Sequence, residues 1–526
     1  MMIRKRMLMI MALLMIASLF VLVRILFGYF QKGDQGDSTA QDELQLRLKL
    51  FVPAPNNVKL PDATDDFIRQ TIENKFNVRL DVTYMVPGTD YNAAIEAALL
   101  ANDPPDMWID GTNDGASKLA LSGVLADMTP YISPLTMPNY YKYWISDKEL
   151  KQFQIHNRFY RAPLPYDKNA YRSYYIRKDW LDRLGLDIPR TYSEYLKVLR
   201  AFTFDDPDGN GVRDTYGFTT SGNSSSLSTD WPEYAKNGLV YPAYMNNNTL
   251  VDMESDLRVG QVVDDILKVI DQGVVDPDWF LNQGTEHIDK AIQGKVGIVL
   301  GQSADFALDA NPASIQSLSR AINPHANWVP FNPLGNEPLR AGISSDAPFV
   351  FSKLTGDSHP EKLKKIVEIL DWLAGEEGFL LTHYGLEKKQ YERSGNNIKL
   401  LAVSDDEVVR HNFMKIWSFF TPDSPSVLGL QVINPRLTER DKEIKTFLAA
   451  LPVKPKLGVA LAPPIGIDVG AFRARQNELQ VKMLFSDKSG KMWPTYYEEI
   501  MTKYDGDQII INFEKQVRSA QSTTTK

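Results

Sequence analysis

Between residues 46 and 109 the spacing of apolar residues switches twice from a period of two to a helical period and back. Leu46, Leu48 and Leu50 alternate with Arg47 and Lys49, as in a strand with one buried face running to Val52. From Asp65 to Phe76 the residues Phe67, Ile68, Ile72 and Phe76 fall at helical spacing, and Val78 to Met85 reads as a second strand. Asp90 is placed to cap a helix with the stripe Ala94, Ile95, Ala98 and Leu99, which Pro104-Pro105 ends before a third strand, Asp106 to Ile109. Strands and helices alternating at this pitch predict an α/β fold with a mostly parallel sheet covered by helices on both faces. Ligands bind beyond the carboxyl ends of such strands, which singles out Asp110, Gly111 and Thr112.

The pattern resumes later in the chain. After Tyr166 comes an aromatic stretch with Tyr171, Tyr174, Tyr175 and Trp180. Thr191 and Glu194 form a capping box that opens a helix through Leu196, Leu199 and Phe202. A helix is predicted at Val259 to Gln272, a short buried strand at Lys295 to Leu300, and a strand near Pro348 to Ser352 followed by a helix at Pro360 to Leu373. A chain of 526 residues exceeds what one hydrophobic core supports, so two lobes are expected.

Compartment is read from the N-terminus. Arg4-Lys5-Arg6 precede an uncharged run from Met7 to Val23, then Arg24 and the apolar stretch Ile25 to Phe30. This is an export signal, and about 20 apolar residues are enough to cross a bilayer. No small-x-small cleavage site follows Val23, so residues 1–30 are expected to stay as a signal/anchor helix with the basic cluster in the cytoplasm; cleavage would make the protein secreted. Residues 31–44 are polar and read as a flexible linker. The absence of cysteine excludes disulfides, thiolate zinc sites and a lipid-modified cysteine. A net charge of −8, more acidic still beyond the basic N-terminus, argues against a nucleic-acid partner. The six histidines show no ligand spacing.

Six segments stand in order along the chain: Tyr91 to Asp106 (YNAAIEAALLANDPPD), Gly123 to Ile132 (GVLADMTPYI), Tyr175 to Pro189 (YIRKDWLDRLGLDIP), Asp206 to Gly217 (DPDGNGVRDTYG), Gly294 to Gly297 (GKVG) and Trp372 to Gly385 (WLAGEEGFLLTHYG). In this order they resemble the extracellular solute-binding protein family 1, the capture subunits of ABC importers, and within it the oligosaccharide and alginate-binding group. The resemblance implies a periplasmic-binding-protein-like fold of type II, with two α/β lobes and a ligand cleft between them. Lobe one would hold 45–163 plus 343–395, and lobe two 164–342 plus 396–526. It also implies a monomer that binds an oligosaccharide noncovalently and docks onto ABC permease subunits, a binding protein and not an enzyme. Lipoproteins of that family carry a cysteine after a short signal, and this chain has none.

Two sets of residues carry candidate chemistry. Asp206, Asp208, Asn210 and Asp214 stand at positions 1, 3, 5 and 9 of an EF-hand-like loop, with Gly211 at the turn and the Val212 carbonyl at position 7. Calcium takes clustered oxygens of this kind, so a structural Ca2+ is expected, although Gly217 stands where a full EF-hand has its bidentate glutamate. Sugar faces call for aromatic rings beside polar groups. Trp231, Tyr234, Tyr241 and Tyr244 lie in an Asn-rich stretch, Gln302-Ser303 follow the strand at 295–300, and Trp328 and Trp108 are further candidates. Glu376 and Glu377 diverge by roughly 100° on a helix and cannot flank one glycosidic bond, and serine-hydrolase and phosphate-loop signatures are missing. The competing readings are an extracytoplasmic carbohydrate-active lyase or hydrolase, and a ligand-presenting sensor.

Overall fold

The structure, a computed structural model, describes residues 45–522 apart from 56–57, 113–114, 170, 344–346, 403, 458–460, 462–463 and 465. The expected signal/anchor helix 1–30 and the linker 31–44 lie outside the described residues. Among the described residues no helix is long and apolar enough to cross a membrane.

Alternation in the first hundred residues gives β1 (Leu46–Pro53), β2 (Val78–Met85) and β3 (Met107–Ile109), with helices Phe67–Phe76 and Thr89–Leu100 between them. Asp66 caps the first helix by accepting from the Arg69 amide at 2.9 Å. The second helix differs from expectation: its N-cap is Gly88, and Asp90 sits inside the first turn, where its charge meets the positive end of the helix. In chain order there follow β4 (Arg161–Pro163), β5 (Ser173–Arg177), β6 (Tyr216–Phe218), the hairpin β7 (Ala243–Asn246) and β8 (Thr249–Asp252), β9 (Val296–Gly301), β10 (Trp328–Phe331) and β11 (Pro348–Phe351).

These strands form two principal sheets, ordered β2-β1-β3-β11-β4 and β10-β5-β9-β6. In the first, β1 is parallel to β2 and β3, whereas β11 is antiparallel to β3 and β4. In the second only β6 and β9 are parallel. The expectation of mostly parallel sheets is therefore corrected to mixed sheets. The cause is long-range: β11 enters the first sheet only after the chain has built the second and returned, and it arrives running the opposite way.

Each sheet carries a large apolar core. The first gathers Leu48, Val52, Ile72, Phe349 and Leu370, and the second Ile176, Trp180, Phe202, Phe218 and Ile298. Ile398, Phe413, Ile416, Trp417 and Phe420 pack in the first core although they fall within 396–526, the stretch grouped with lobe two on sequence. Trp417 is fixed there because its Nε1 donates to Asp66 Oδ2 at 3.0 Å, the carboxylate that also caps the first helix. Helices Val469–Lys482, Trp493–Lys503 and Gly506–Ser522 give Phe472, Leu479, Trp493, Ile500 and Ile509 to the second core. The Thr191–Glu194 capping box is formed in both directions at the start of helix Tyr192–Phe204. Asp106 joins elements within the first core, accepting from the Lys49 amide and the Thr355 hydroxyl, both at 2.8 Å, and from the Lys362 ammonium at 3.1 Å.

Glu233 is the least comfortable group in the second core. Its side chain is fully enclosed, Oε1 accepts from the Tyr192 hydroxyl at 2.6 Å, and Oε2 has no partner. Burial pushes its carboxyl up to about 7. The folded protein thus keeps this proton to a higher pH than the unfolded chain does, so the group's contribution to stability falls as pH rises from the ordinary glutamate range through 7. Glu233→Gln is expected to flatten that decline and to leave the variant more stable than wild type at pH 8, as read by urea denaturation at pH 5 and pH 8.

Candidate functional site

Strand register locates the space between the two cores. Ile109 at the end of β3 pairs with Phe349, and Pro163 at the end of β4 pairs with Pro348, so β3 and β4 end at the edge where β11 begins. In the second sheet Ser173 pairs with Gly301, Tyr174 with Phe331, and Phe218 with Ile298. That edge holds the start of β5 and the ends of β6, β9 and β10. The chain therefore passes from one edge to the other twice, between β4 and β5 and between β10 and β11 (the described parts of 164–172 and 332–347), and whatever follows β3, β6 and β9 faces the space these crossings frame.

Asp110 and Thr112 lie on the first edge. The Asp110 amide donates to the Pro348 carbonyl at 2.8 Å, and Asp110 Oδ2 accepts from the Thr112 amide at 3.2 Å and from the Thr112 hydroxyl. This Asx turn stops the strand and turns the chain across the edge. Gln302 is exposed on the opposite edge, directly after β9. Tyr241 is half-buried, with the Arg172 guanidinium 4.8 Å and the Arg340 guanidinium 6.0 Å from its ring centre. Its carbonyl accepts from the Ala341 amide at 2.7 Å, which ties it to the 332–347 crossing.

The other aromatic candidates are core residues, which corrects the expectation that they form an open sugar platform. Trp231 is 1% exposed and packs edge-on against Trp279 at 5.0 Å. Trp328 is enclosed in β10 with Nε1 donating to the Ser319 hydroxyl at 2.9 Å, and Trp108 is enclosed in β3. Tyr244 spends its hydroxyl on the Gly238 carbonyl at 2.7 Å. Tyr234 is buried as well. An aromatic in an Asn-rich stretch reads alike whether its ring faces solvent or core, so sequence could not separate them.

Sequence reasoning missed the charged groups on the crossings. Arg172 is 3% exposed, with Nη2 donating to the Thr229 carbonyl at 2.6 Å and to Asp230 at 3.4 Å, while Nη1 is buried without a hydrogen-bond partner. Lys456 donates to Glu149 at 2.9 Å and to the Tyr166 hydroxyl at 2.7 Å, and Tyr166 donates to Glu149 at 2.7 Å. Burial opposes ionisation of Glu149, but the hydrogen bonds from Tyr166, Lys456 and Ser146 outweigh it and hold the carboxyl well below the usual range. Lys456 lies 307 residues from Glu149 and Arg172 lies 58 from Asp230, and no local pattern announces either pair.

The acidic loop lies between helix Tyr192–Phe204 and β6. Asn210 Nδ2 donates to Asp208 at 2.9 Å and to Asp214 at 3.2 Å, Asp206 Oδ2 accepts from the Gly211 amide at 3.2 Å, and Lys295 pairs with Asp214 at 2.6 Å. Asp206 Oδ1 is buried with no partner. Burial raises the Asp208 carboxyl, and the Asp206 and Asp214 charges add to it. Val212 is exposed and its amide donates to Asn210 Oδ1 at 2.6 Å. Among the described residues no three His, Cys, Asp or Glu side chains gather as a metal group. Here the Asn210 amide bridges Asp208 and Asp214, and Lys295 pairs with Asp214 alone.

The family model described as bacterial extracellular solute-binding protein matches residues 68–333, about half of the chain. The chain belongs to that family. It is 28% identical over 335 residues to the polygalacturonan/rhamnogalacturonan-binding protein YtcQ of Bacillus subtilis, a match covering 61% of this chain and 63% of that protein. Two solved structures share the fold. One is a solute-binding protein from Bifidobacterium longum infantis described as HMO binding and ABC-transporter associated, with TM-score 0.69, 16% identity, and 90% of this chain and 99% of that one covered. The other is the Streptococcus pneumoniae ABC-transporter substrate-binding protein FusA in complex with kestose, with TM-score 0.66, 17% identity, and 91% and 100% covered; FusA is also known as an EF-hand mutant in complex with fructo-nystose. These likenesses show the type II fold with mixed sheets, and the family places the chain outside the cytoplasm.

Because Arg172 is enclosed beside Asp230, removing it leaves a half-buried carboxylate short of its cation. Arg172→Met is expected to lower unfolding free energy by about 2–4 kcal/mol, with Arg172→Lys losing less, measured by chemical denaturation.

Proposed function

We propose that the chain is the ligand-capturing subunit of an ABC-type carbohydrate importer, binding an oligosaccharide noncovalently between two lobes that close on it and presenting it to permease subunits as a monomer. The single observation that carries this reading is the pair of crossings that bring the ends of β3, β6 and β9 to one space. The names of YtcQ, the HMO-binding protein and FusA support carbohydrate as the ligand class. Lobe one is then 45–163 plus 343–430 or so, and lobe two the rest of the body, since residues up to Leu430 pack in the first core. Asp110, Thr112, Tyr241 and Gln302 are the residues from which contacts to the sugar are drawn. Residues 1–30 anchor the protein at the outer face of the membrane.

Thermal shift with neutral and acidic oligosaccharides tests this reading. A ligand at a hundredfold excess over its Kd adds about 2.7 kcal/mol to stability. The expected result is a raised melting temperature with one class of oligosaccharide, the sugar recovered intact afterwards. Release of shortened or unsaturated products would favour an enzyme instead.

A structural Ca2+ in the loop 206–214 belongs to the same proposal. Asp206, Asp208, Asn210 and Asp214 would offer side-chain oxygens and Val212 its carbonyl, and bound calcium would offset the repulsion among three carboxylates. That FusA has an EF-hand mutant is in keeping with this. Asp208→Ala is expected to lower the melting temperature in calcium buffer and to abolish the response to chelator. Identical melting of wild type with calcium and with chelator would make the loop a turn and nothing more.

A further inference from the structure

The second core holds a cavity of about 290 Å³ that no reading above has used. It lies between the loop 221–230 and helix Val469–Lys482, with Asp230, Tyr234, Glu254, His287, Asn477 and Gln480 in its wall. Asp230 connects it to the crossing: its carboxylate meets Arg172 on segment 164–172 and, at 3.3 Å, the hydroxyl of Thr220, which stands just after β6 on the edge facing the framed space.

The loop that makes the wall is held in an unfavourable shape. Asn223, Ser224 and Ser228 all adopt left-handed backbone, with φ of 48°, 57° and 59°. Asparagine tolerates that region, whereas serine does so at a cost, and strain of this kind persists only where surrounding bonds enforce it. They do so here: Gln283 donates to the Ser224 hydroxyl at 3.0 Å, the Gly284 amide donates to Asn223 Oδ1 at 2.9 Å, and the hydroxyls of Thr220 and Ser228 meet at 2.6 Å.

The chemistry of the wall is selective. Asp230 and Glu254 contribute to it, and neither lysine nor arginine does. Arg473 gives its hydrogen bonds to Asp252 and Gln476, both at 2.7 Å, and acts on Glu254 through its charge alone, while Gln476 Nε2 reaches Glu254 at 3.5 Å. The Tyr234 hydroxyl, the Asn477 amide and the buried His287 Nδ1 have no hydrogen-bond partner among the described residues. A sugar hydroxyl donates and accepts at once, so it suits carboxylate and imidazole acceptors set beside amide donors. A carboxylated sugar would instead enter between two acids in a wall that presents no lysine or arginine, Arg172 and Arg473 standing behind the acids and not in the lining. The volume falls at the lower end of the ~300–1,000 Å³ of whole-ligand pockets, which suits a single ring.

The geometry points to this cavity as the seat of one uncharged sugar unit at an end of the bound chain, with Asp230 and Glu254 excluding a uronate from that position. The inference rests on the carbohydrate-binding reading and adds to it a charge preference and a place. Calorimetry on the full chain with maltotriose, cellotriose, 1-kestose and trigalacturonate tests it, using wild type, Asn477→Ala and Glu254→Gln. The expected result is that a neutral trisaccharide binds, that each variant still unfolds cooperatively but binds it about tenfold more weakly, and that Glu254→Gln narrows the preference over trigalacturonate. A neutral trisaccharide binding wild type and both variants equally, or trigalacturonate binding as tightly as any neutral sugar, would overturn the cavity assignment and leave the carbohydrate reading standing. Failure of all four probes to bind wild type would count against both.

Discussion

Two stretches of backbone, 164–172 and 332–347, leave one sheet and enter the other at the same pair of edges. Their polar groups cannot join either sheet's ladder and must be satisfied elsewhere. Arg172 holds the end of the first crossing: it sits over Tyr241, reaches the Thr229 carbonyl and Asp230, and fixes the point at which that crossing enters the second core. The second crossing is tied to the same place, because the Ala341 amide donates to the Tyr241 carbonyl and the Gly342 amide to the Lys454 carbonyl. With both crossings fixed, the ends of β3, β6 and β9 have one space to face.

Charge is distributed around this space with a recurring pattern. Tyr241, Tyr244 and Tyr166 each carry a cation over the ring, from Arg172 and Arg340, Lys454, and Lys456 respectively. Lys456 also reaches Glu149, so a segment late in the chain is joined to a helix packed with the first core. The Lys456 contacts are partly exposed and individually modest, which suits parts that change their relation to one another, whereas Arg172 is enclosed. The acidic loop 206–214 is placed differently, between helix Tyr192–Phe204 and β6, away from the crossings.

The local periodicity made the first three strands and their helices legible, since burial of one face is written every second or every third to fourth residue. The Thr191–Glu194 capping box and the spacing of Asp206, Asp208, Asn210 and Asp214 were legible for the same reason: each is a short-range device. What sequence did not reveal is long-range. The antiparallel insertion of β11 beside β3, the packing of Trp417 on Asp66, and the Arg172–Asp230 and Lys456–Glu149 pairs join positions that only the fold brings together. Trp231 and Trp328 failed as open ring faces because composition cannot say which way a side chain points, and a large ring gains most by leaving water.

The central claim is that the two cores approach one another when a sugar fills the space between them. The chain has no cysteine, so a Glu96→Cys, Asp289→Cys variant takes spin labels at two exposed positions only, one on a helix beside each sheet. Pulsed electron–electron resonance with and without a bound oligosaccharide then reads the separation directly. A shorter, narrower distance distribution on binding is the result this account requires, and an unchanged distribution in a sample that calorimetry shows to be saturated would contradict it.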